Sequence, residues 1–159
     1  MENTKPFVGR KIDKSTIINL EKGKIPPQAV DLEEVVLGAM MIDKKGVDEV
    51  IDILHPDVFY KDAHRFIYEA IFILFEESQP VDLLTVSSQL KKSGKLEVCG
   101  GDFYLIKLTQ KVASSAHIEF HARIILQKYI QRSLIKISGE IIEEAVSYTH
   151  LTLPTKMKV

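Results

Sequence analysis

VFYKDAHRFIYEAIFILFEE, residues Val58 to Glu77, decides the fold class. Phe59, Tyr60, Phe66, Ile67, Tyr68, Ile71, Phe72, Ile73, Leu74 and Phe75 crowd into about five turns, whereas a surface helix needs one apolar stripe. A helix that is apolar nearly all round is expected to be buried. Asp62 is expected to accept hydrogen bonds from the free N–H groups of the first turn, and Pro80 to stop the segment. Tyr60, His64 and Arg65 stand close together and invite a catalytic reading. A cation in the first turn faces the positive end of the helix dipole, so packing and hydrogen bonding around the helix entry is the expected role.

Upstream, Pro26 and Pro27 close a basic arm, and the D-x-x-E spacing of Asp31 and Glu34 opens a helix with Leu32, Val35, Val36, Ala39 and Met40 on one face. Gly38 within it implies close approach of a neighbouring helix, because glycine there costs about 1 kcal/mol against alanine. Asp43 is expected to cap a second helix ended by Pro56. Downstream, Asp82 caps a short helix carrying Leu83, Val86 and Leu90, and Gly100 and Gly101 form a turn before a helix capped by Asp102. The glycine pair lacks the preceding strand and the lysine of a nucleotide loop, so a tight turn is the expected use. Carboxylates such as Glu33, Glu34, Glu76 and Glu77 are explained by solvation or by the helix dipole.

From Ala116 to Val146 the pattern lengthens into one helix of about 45 Å. Its apolar positions Ile118, Ala122, Ile125, Leu126, Tyr129, Ile130, Leu134, Ile137 and Ile141 form a broad face expected to associate with other chains, the alternative being a helix wrapped along its own core. The resulting division is a basic arm over 1–25, a helical head over 26–113, a long helix over 114–146 and an irregular tail over 147–159. That tail, rich in threonine and β-branched residues, is a candidate for non-native sequence.

The 159 residues carry 45% hydrophobic and 27% charged content, enough for one core. A net charge of -1 argues against a bare nucleic-acid binder. The lone Cys99 fits a reducing compartment, and no apolar run approaches the roughly 18 residues of a membrane span, so a cytoplasmic location without membrane contact is expected. No catalytic set, cofactor cradle or metal set has persuasive spacing. His117 and His121 are one helical turn apart but lack the H-E-x-x-H pattern, and G-x-x-x-x-G-K-[ST] is nowhere in the chain. No catalytic, cofactor-binding or metal-binding residue is assigned.

The ordered landmarks PPQAVDLEEVVLGAMMID (Pro26 to Asp43), VFYKDAHRFIYEAI (Val58 to Ile71), PVD (Pro80 to Asp82), Gly100-Gly101 followed by Tyr104 and Leu105, and ARIILQKYIQRSLI (Ala122 to Ile135) resemble the amino-terminal domain of DnaB-type replicative DNA helicases. The resemblance covers Pro26 to about Ala145 and makes Gly38, Phe59, Tyr60, His64, Arg65, Asp82, Gly100 and Gly101 a signature of the fold. It implies an all-α head followed by a helical hairpin, pairing of copies into a trimer of dimers, primase and helicase-loader docking, and DNA passing through the assembled ring. Unwinding, with ATP and Mg, would belong to a separate carboxy-terminal motor domain, so this chain alone is not expected to be an enzyme. SYTHLTLPTKMKV stands where the second hairpin limb is expected, which implies an incomplete hairpin and weakened assembly. The alternative is a helix-turn-helix-like DNA-binding domain.

Overall fold

The computed structural model describes residues 25–112 and 117–152. Among these are six α-helices, one 3-10 turn and no strand: α1 (Val30–Ile42), α2 (Lys44–Val50), the turn Pro56–Val58, α3 (Asp62–Glu76), α4 (Leu83–Lys92), α5 (Gly101–Gln110) and α6 (Ile118–Thr152). Residues 1–24, 113–116 and 153–159, which include most of the basic arm and the end of the tail, lie outside the described residues. Pro27–Lys136 forms one compact unit, and the helix from Ile137 onward belongs to a second. The head thus includes the first half of α6 and does not end near residue 113.

The helix at the centre of the head is α1, not α3. It lies against α2, α3, α4 and α5. Five of its neighbouring positions, Val36, Leu37, Ala39, Met40 and Met41, are buried on all sides. Helix α3 buries Ile67, Tyr68, Ala70, Ile71 and Leu74, while Phe72, Ile73 and Phe75 remain more than a third exposed on its outer side. Counting apolar residues in Val58–Glu77 could not separate these faces, because apolar side chains occupy both.

Gly38 marks where α5 crosses α1. A Cβ at this position would collide with the Leu108 carbonyl oxygen and would lie 2.7 Å from Val112 Cγ2. The backbones are therefore in direct contact there, a separation that only glycine allows.

Helix starts follow two patterns. Asp43 accepts from the Lys45 N–H at 3.0 Å, and Asp82 accepts from the Thr85 N–H at 2.9 Å while its own N–H donates to Thr85 Oγ1 at 2.9 Å. Both satisfy orphan first-turn donors. The other three acidic starts differ from expectation. Asp62 is the first residue of α3 rather than its cap, and its carboxylate accepts from Arg65 Nη2 at 2.6 Å. Helix α1 follows Ala29 without any side-chain cap, which leaves Glu34 free to bind α5. Asp102 sits inside α5 and ties back to α4 through the Ser87 hydroxyl and Lys91. A carboxylate near a helix start can reach a neighbouring helix as easily as its own N–H groups, and packing selects between them.

Helix α6 runs unbroken for 35 residues, about 52 Å at 1.5 Å per residue. Ser147 to Thr152 are helical, so the irregular stretch does not begin at residue 147.

Candidate interaction surface

The residues that invited a catalytic reading do not converge. His64 is fully buried; its Nδ1 stands 2.6 Å from Glu33 Oε2 and its Nε2 2.8 Å from the Tyr104 hydroxyl. The other Glu33 oxygen accepts the Tyr60 backbone N–H at 2.7 Å. Arg65 turns away toward Asp62 and Asp57. Tyr60 contributes its backbone to Glu33, and its half-exposed ring lies under the Arg132 guanidinium, 5.6 Å away.

The contacts continue outward through α5. The Tyr104 hydroxyl donates to Glu34 Oε1 at 3.2 Å, and Lys111 Nζ donates to Glu34 Oε2. Burial raises the Glu34 carboxyl, but the Lys111 hydrogen bond and charge, the Tyr104 hydroxyl and the Lys61 charge outweigh it and hold the group below the usual range. Tyr104 is pushed well above an ordinary phenol by burial and then by the Glu34 and Glu33 carboxylates. The run Glu33–His64–Tyr104–Glu34–Lys111 joins α1, α3 and α5. With Glu33 and His64 almost without exposed surface, no substrate reaches its centre, and its chemical capacity is to lock three helices in register. Glu33 and Glu34 are thus cross-helix ties rather than solvated dipole partners.

The signature glycines serve the same contacts. Gly100 and Gly101 both take the left-handed conformation, with φ of 93° and 69°, and Gly100 precedes the first residue of α5. A Cβ on Gly100 would come within 3.0 Å of Tyr104 Cβ. The pair lets the chain turn sharply into α5 with Tyr104 aimed at His64. Phe59 is buried against the Tyr68 ring at 5.1 Å, and the Tyr68 hydroxyl donates to the Leu54 carbonyl at 2.7 Å.

Helix α6 presents two apolar rows, not one. Ile118, Ala122 and Ile125 are at most 2% exposed and belong to the head's own core, with Leu126 and Tyr129 packed against it. Those three cannot serve an interface with another chain. Ile130, Leu134, Ile137 and Ile141 are 48–60% exposed. At about 100° per residue, Ile130 lies roughly 120° around the helix from Ile118, so one face packs inward and another is left to solvent.

Arg132 fixes that orientation. Its Nη1 donates to the Pro27 carbonyl at 2.8 Å and its Nη2 to the Val58 carbonyl at 2.7 Å. The guanidinium also lies 5.9 Å from the Tyr129 ring centroid, and Tyr129 meets His55 edge-on at 5.0 Å. Nothing in the local spacing singled out Arg132; its only signal was a place within the ARIILQKYIQRSLI landmark.

Among the described residues no cluster of three His, Cys, Asp or Glu could hold a metal, and no helix is long and apolar enough to cross a membrane. The family described as "DnaB-like helicase N terminal domain" matches residues 25–127. The chain belongs to this family. A DnaB-like N-terminal domain also accounts for the solved structures it resembles. The N-terminal domain of DnaB helicase from Mycobacterium tuberculosis superposes with a TM-score of 0.75 at 31% identity, covering 81% of this chain and 91% of that one. The N-terminal domain of DnaB helicase from Helicobacter pylori, whose structure was described together with its interactions with primase, shares the fold with a TM-score of 0.63 at 23% identity, covering 72% of this chain and 89% of that one. The replicative DNA helicase DnaB of Rhodothermus marinus is 45% identical over 117 residues, which are 74% of this chain and 12% of that protein. The replicative DNA helicase DnaC of Bacillus subtilis is 36% identical over 126 residues, 79% of this chain and 28% of that protein. The chain therefore spans well under a third of these relatives.

Proposed function

We propose that this domain is the assembly and docking module of a bacterial replicative DNA helicase. The observation that carries the reading is the outward row Ile130, Leu134, Ile137 and Ile141 on a helix that Arg132 clamps to the head. An exposed apolar row on a fixed helix offers a surface for another helix to pack on. In this reading copies pair through α6 as a homo-oligomer, a trimer of dimers in the complete protein. Primase and a helicase loader dock on the assembled domains, and DNA passes through the ring. Unwinding in the parent protein is driven by ATP and Mg in a motor domain, while this domain performs no turnover. The similarity to DnaB N-terminal domains supports the reading, and the sealed polar cluster fits a structural role.

Light scattering on the chain, with Ile130→Ser and Leu134→Ser together as the comparison, tests the pairing. We expect weak, concentration-dependent self-association that the double substitution abolishes while the helical signal persists. Association unchanged by the substitutions would reject this face. Primase binding measured between about 50 and 200 mM salt separates docking from DNA reading, because phosphate contacts weaken steeply over that range. Salt-insensitive primase binding supports docking. Salt-sensitive DNA binding without primase binding would favour the helix-turn-helix-like alternative.

A further inference from the structure

Three polar contacts run end to end between α1, α3 and α5. Glu33 Oε2 faces His64 Nδ1 at 2.6 Å, His64 Nε2 faces the Tyr104 oxygen at 2.8 Å, and that oxygen lies 3.2 Å from Glu34 Oε1. Facing lone pairs repel at such distances, so each contact needs a proton between its two atoms. A neutral imidazole brings one and a phenol brings one, which leaves one contact without. Glu34 does not supply the third. Burial raises its carboxyl, but the Lys111 hydrogen bond and charge, the Tyr104 hydroxyl and the Lys61 charge together hold it below the usual range, so it stands as a carboxylate. Tyr104 keeps its own proton, because burial and then the Glu34 and Glu33 carboxylates push it well above an ordinary phenol. Glu33 is the weaker claimant on the third proton. Its Oε1 accepts the Tyr60 N–H at 2.7 Å, which favours the ionised form, and imidazole is ordinarily the stronger base by about two pH units.

We infer that His64 carries both ring protons, as an imidazolium set between the Glu33 carboxylate and the Tyr104 oxygen, and that this proton latches α5 to α1 and α3 at once. The requirement is imposed from two hydrogen bonds away, by Glu34 taking the Tyr104 proton. The run then has no net charge, with Glu33 and Glu34 set against His64 and Lys111, which suits a site where Glu33 and His64 have almost no exposed surface. The other charged or titratable groups around it do not change the count. Lys61 faces Glu34, Asp31 faces Lys111, and Arg65 turns to Asp62 and Asp57. Burial raises the Cys99 thiol, which keeps its proton. When the ring loses its second proton, two protons remain for three contacts. Tyr104 then serves either His64 or Glu34, so α5 keeps its tie to α3 or its tie to α1 but not both.

Heteronuclear NMR of the histidine ring nitrogens in the full chain tests it, at about pH 7.5, a unit above the ordinary titration of histidine. Both His64 nitrogens are expected to carry a slowly exchanging hydrogen. A ring with one bare nitrogen overturns the inference, and this result needs no variant. Glu34→Gln then separates the latch from a merely structural role. The amide of glutamine can donate to the Tyr104 oxygen, which frees the phenol proton for Nε2 and satisfies all three contacts with a neutral ring. The variant is therefore expected to lose the Nε2 hydrogen at the same pH while its far-UV circular dichroism stays native. A ring still doubly protonated in that folded variant refutes the control by Glu34. Raising the pH of the native chain supplies the remaining check, which holds even where the variant does not fold. The His64 and Tyr104 ring signals are expected to change together in one step, and loss of the His64 proton with Tyr104 unmoved overturns the latch.

Discussion

Replacing His64 by leucine tests whether the Glu33–His64 contact is a lock between helices. In the native structure Glu33 is 1% exposed and accepts two hydrogen bonds, from His64 at 2.6 Å and from the Tyr60 N–H at 2.7 Å. The substitution removes the side-chain donor and leaves a buried carboxylate with one backbone donor. Breaking one side of such a pair costs about 3–5 kcal/mol, a large share of the roughly 5–15 kcal/mol that holds a domain folded. With a urea slope of about 2 kcal/mol/M, the unfolding midpoint should fall by about 2 M. Adding Glu33→Met removes the stranded carboxylate. The remaining deficit is the Tyr60 N–H, about 1–3 kcal/mol, since the Tyr104 hydroxyl keeps Glu34 as its acceptor. The double variant is therefore expected to be more stable than His64→Leu alone. Urea unfolding followed by far-UV circular dichroism on both singles and the double measures this coupling. Losses that simply add would show that the two side chains act independently and would refute the reasoning.

Other perturbations separate the remaining contacts. Gly38→Ala should destabilise by about 1–3 kcal/mol despite alanine's better helix propensity, because the colliding atoms belong to the Leu108 backbone and cannot swing aside; a thermal midpoint equal to or above the native one would show that α5 can shift without cost. Arg132→Ala should loosen α6 from the head, and Arg132→Lys should rescue little because one ammonium group lacks the fork that spans the Pro27 and Val58 carbonyls. Hydrogen exchange across residues 118–136 reads this directly, and native-like protection in the lysine variant would count against the clamp. On acidification, the Glu34 carboxyl, held below its ordinary 4.5, contributes stability that is present above that pH and lost as pH falls through the lower folded value. On the alkaline side Tyr104 and Lys111 are both raised, so their contribution is full below about pH 10 and declines as pH rises further. Urea midpoints measured across pH check both limbs, and Glu34→Gln should flatten the acid one.

The helical class was legible because every long apolar run repeats at three and four residues and no alternating run competes with it. Asp43 and Asp82 were legible as caps because the cap bond closes within two or three residues. Asp62, Glu34 and Asp102 show the same local pattern, yet their partners are Arg65, Lys111 and Ser87. The neighbours that compete for Glu34 and Asp102 exist only after the helices pack, whereas Arg65 competes for Asp62 from three residues along the same helix. Likewise the apolar face of the long helix was visible as a single broad band. Burial divides it: Ile118, Ala122 and Ile125 turn inward, while Ile130 and Leu134 do not.

By itself the sequence determined that the chain is helical, where most of its helices begin, and that its landmarks resemble a replicative helicase's amino-terminal domain. Each of those properties is local or linear, set by hydrogen bonds and side-chain spacings within a few residues. Only the tertiary structure decided that α1 rather than α3 is the hub, that His64 is a buried tie, and that Arg132 sets which face of α6 meets solvent. His64 finds Glu33 across 31 residues and Tyr104 across 40, and Arg132 finds Pro27 across 105. Contacts at such separations depend on how whole helices cross, which no local period encodes.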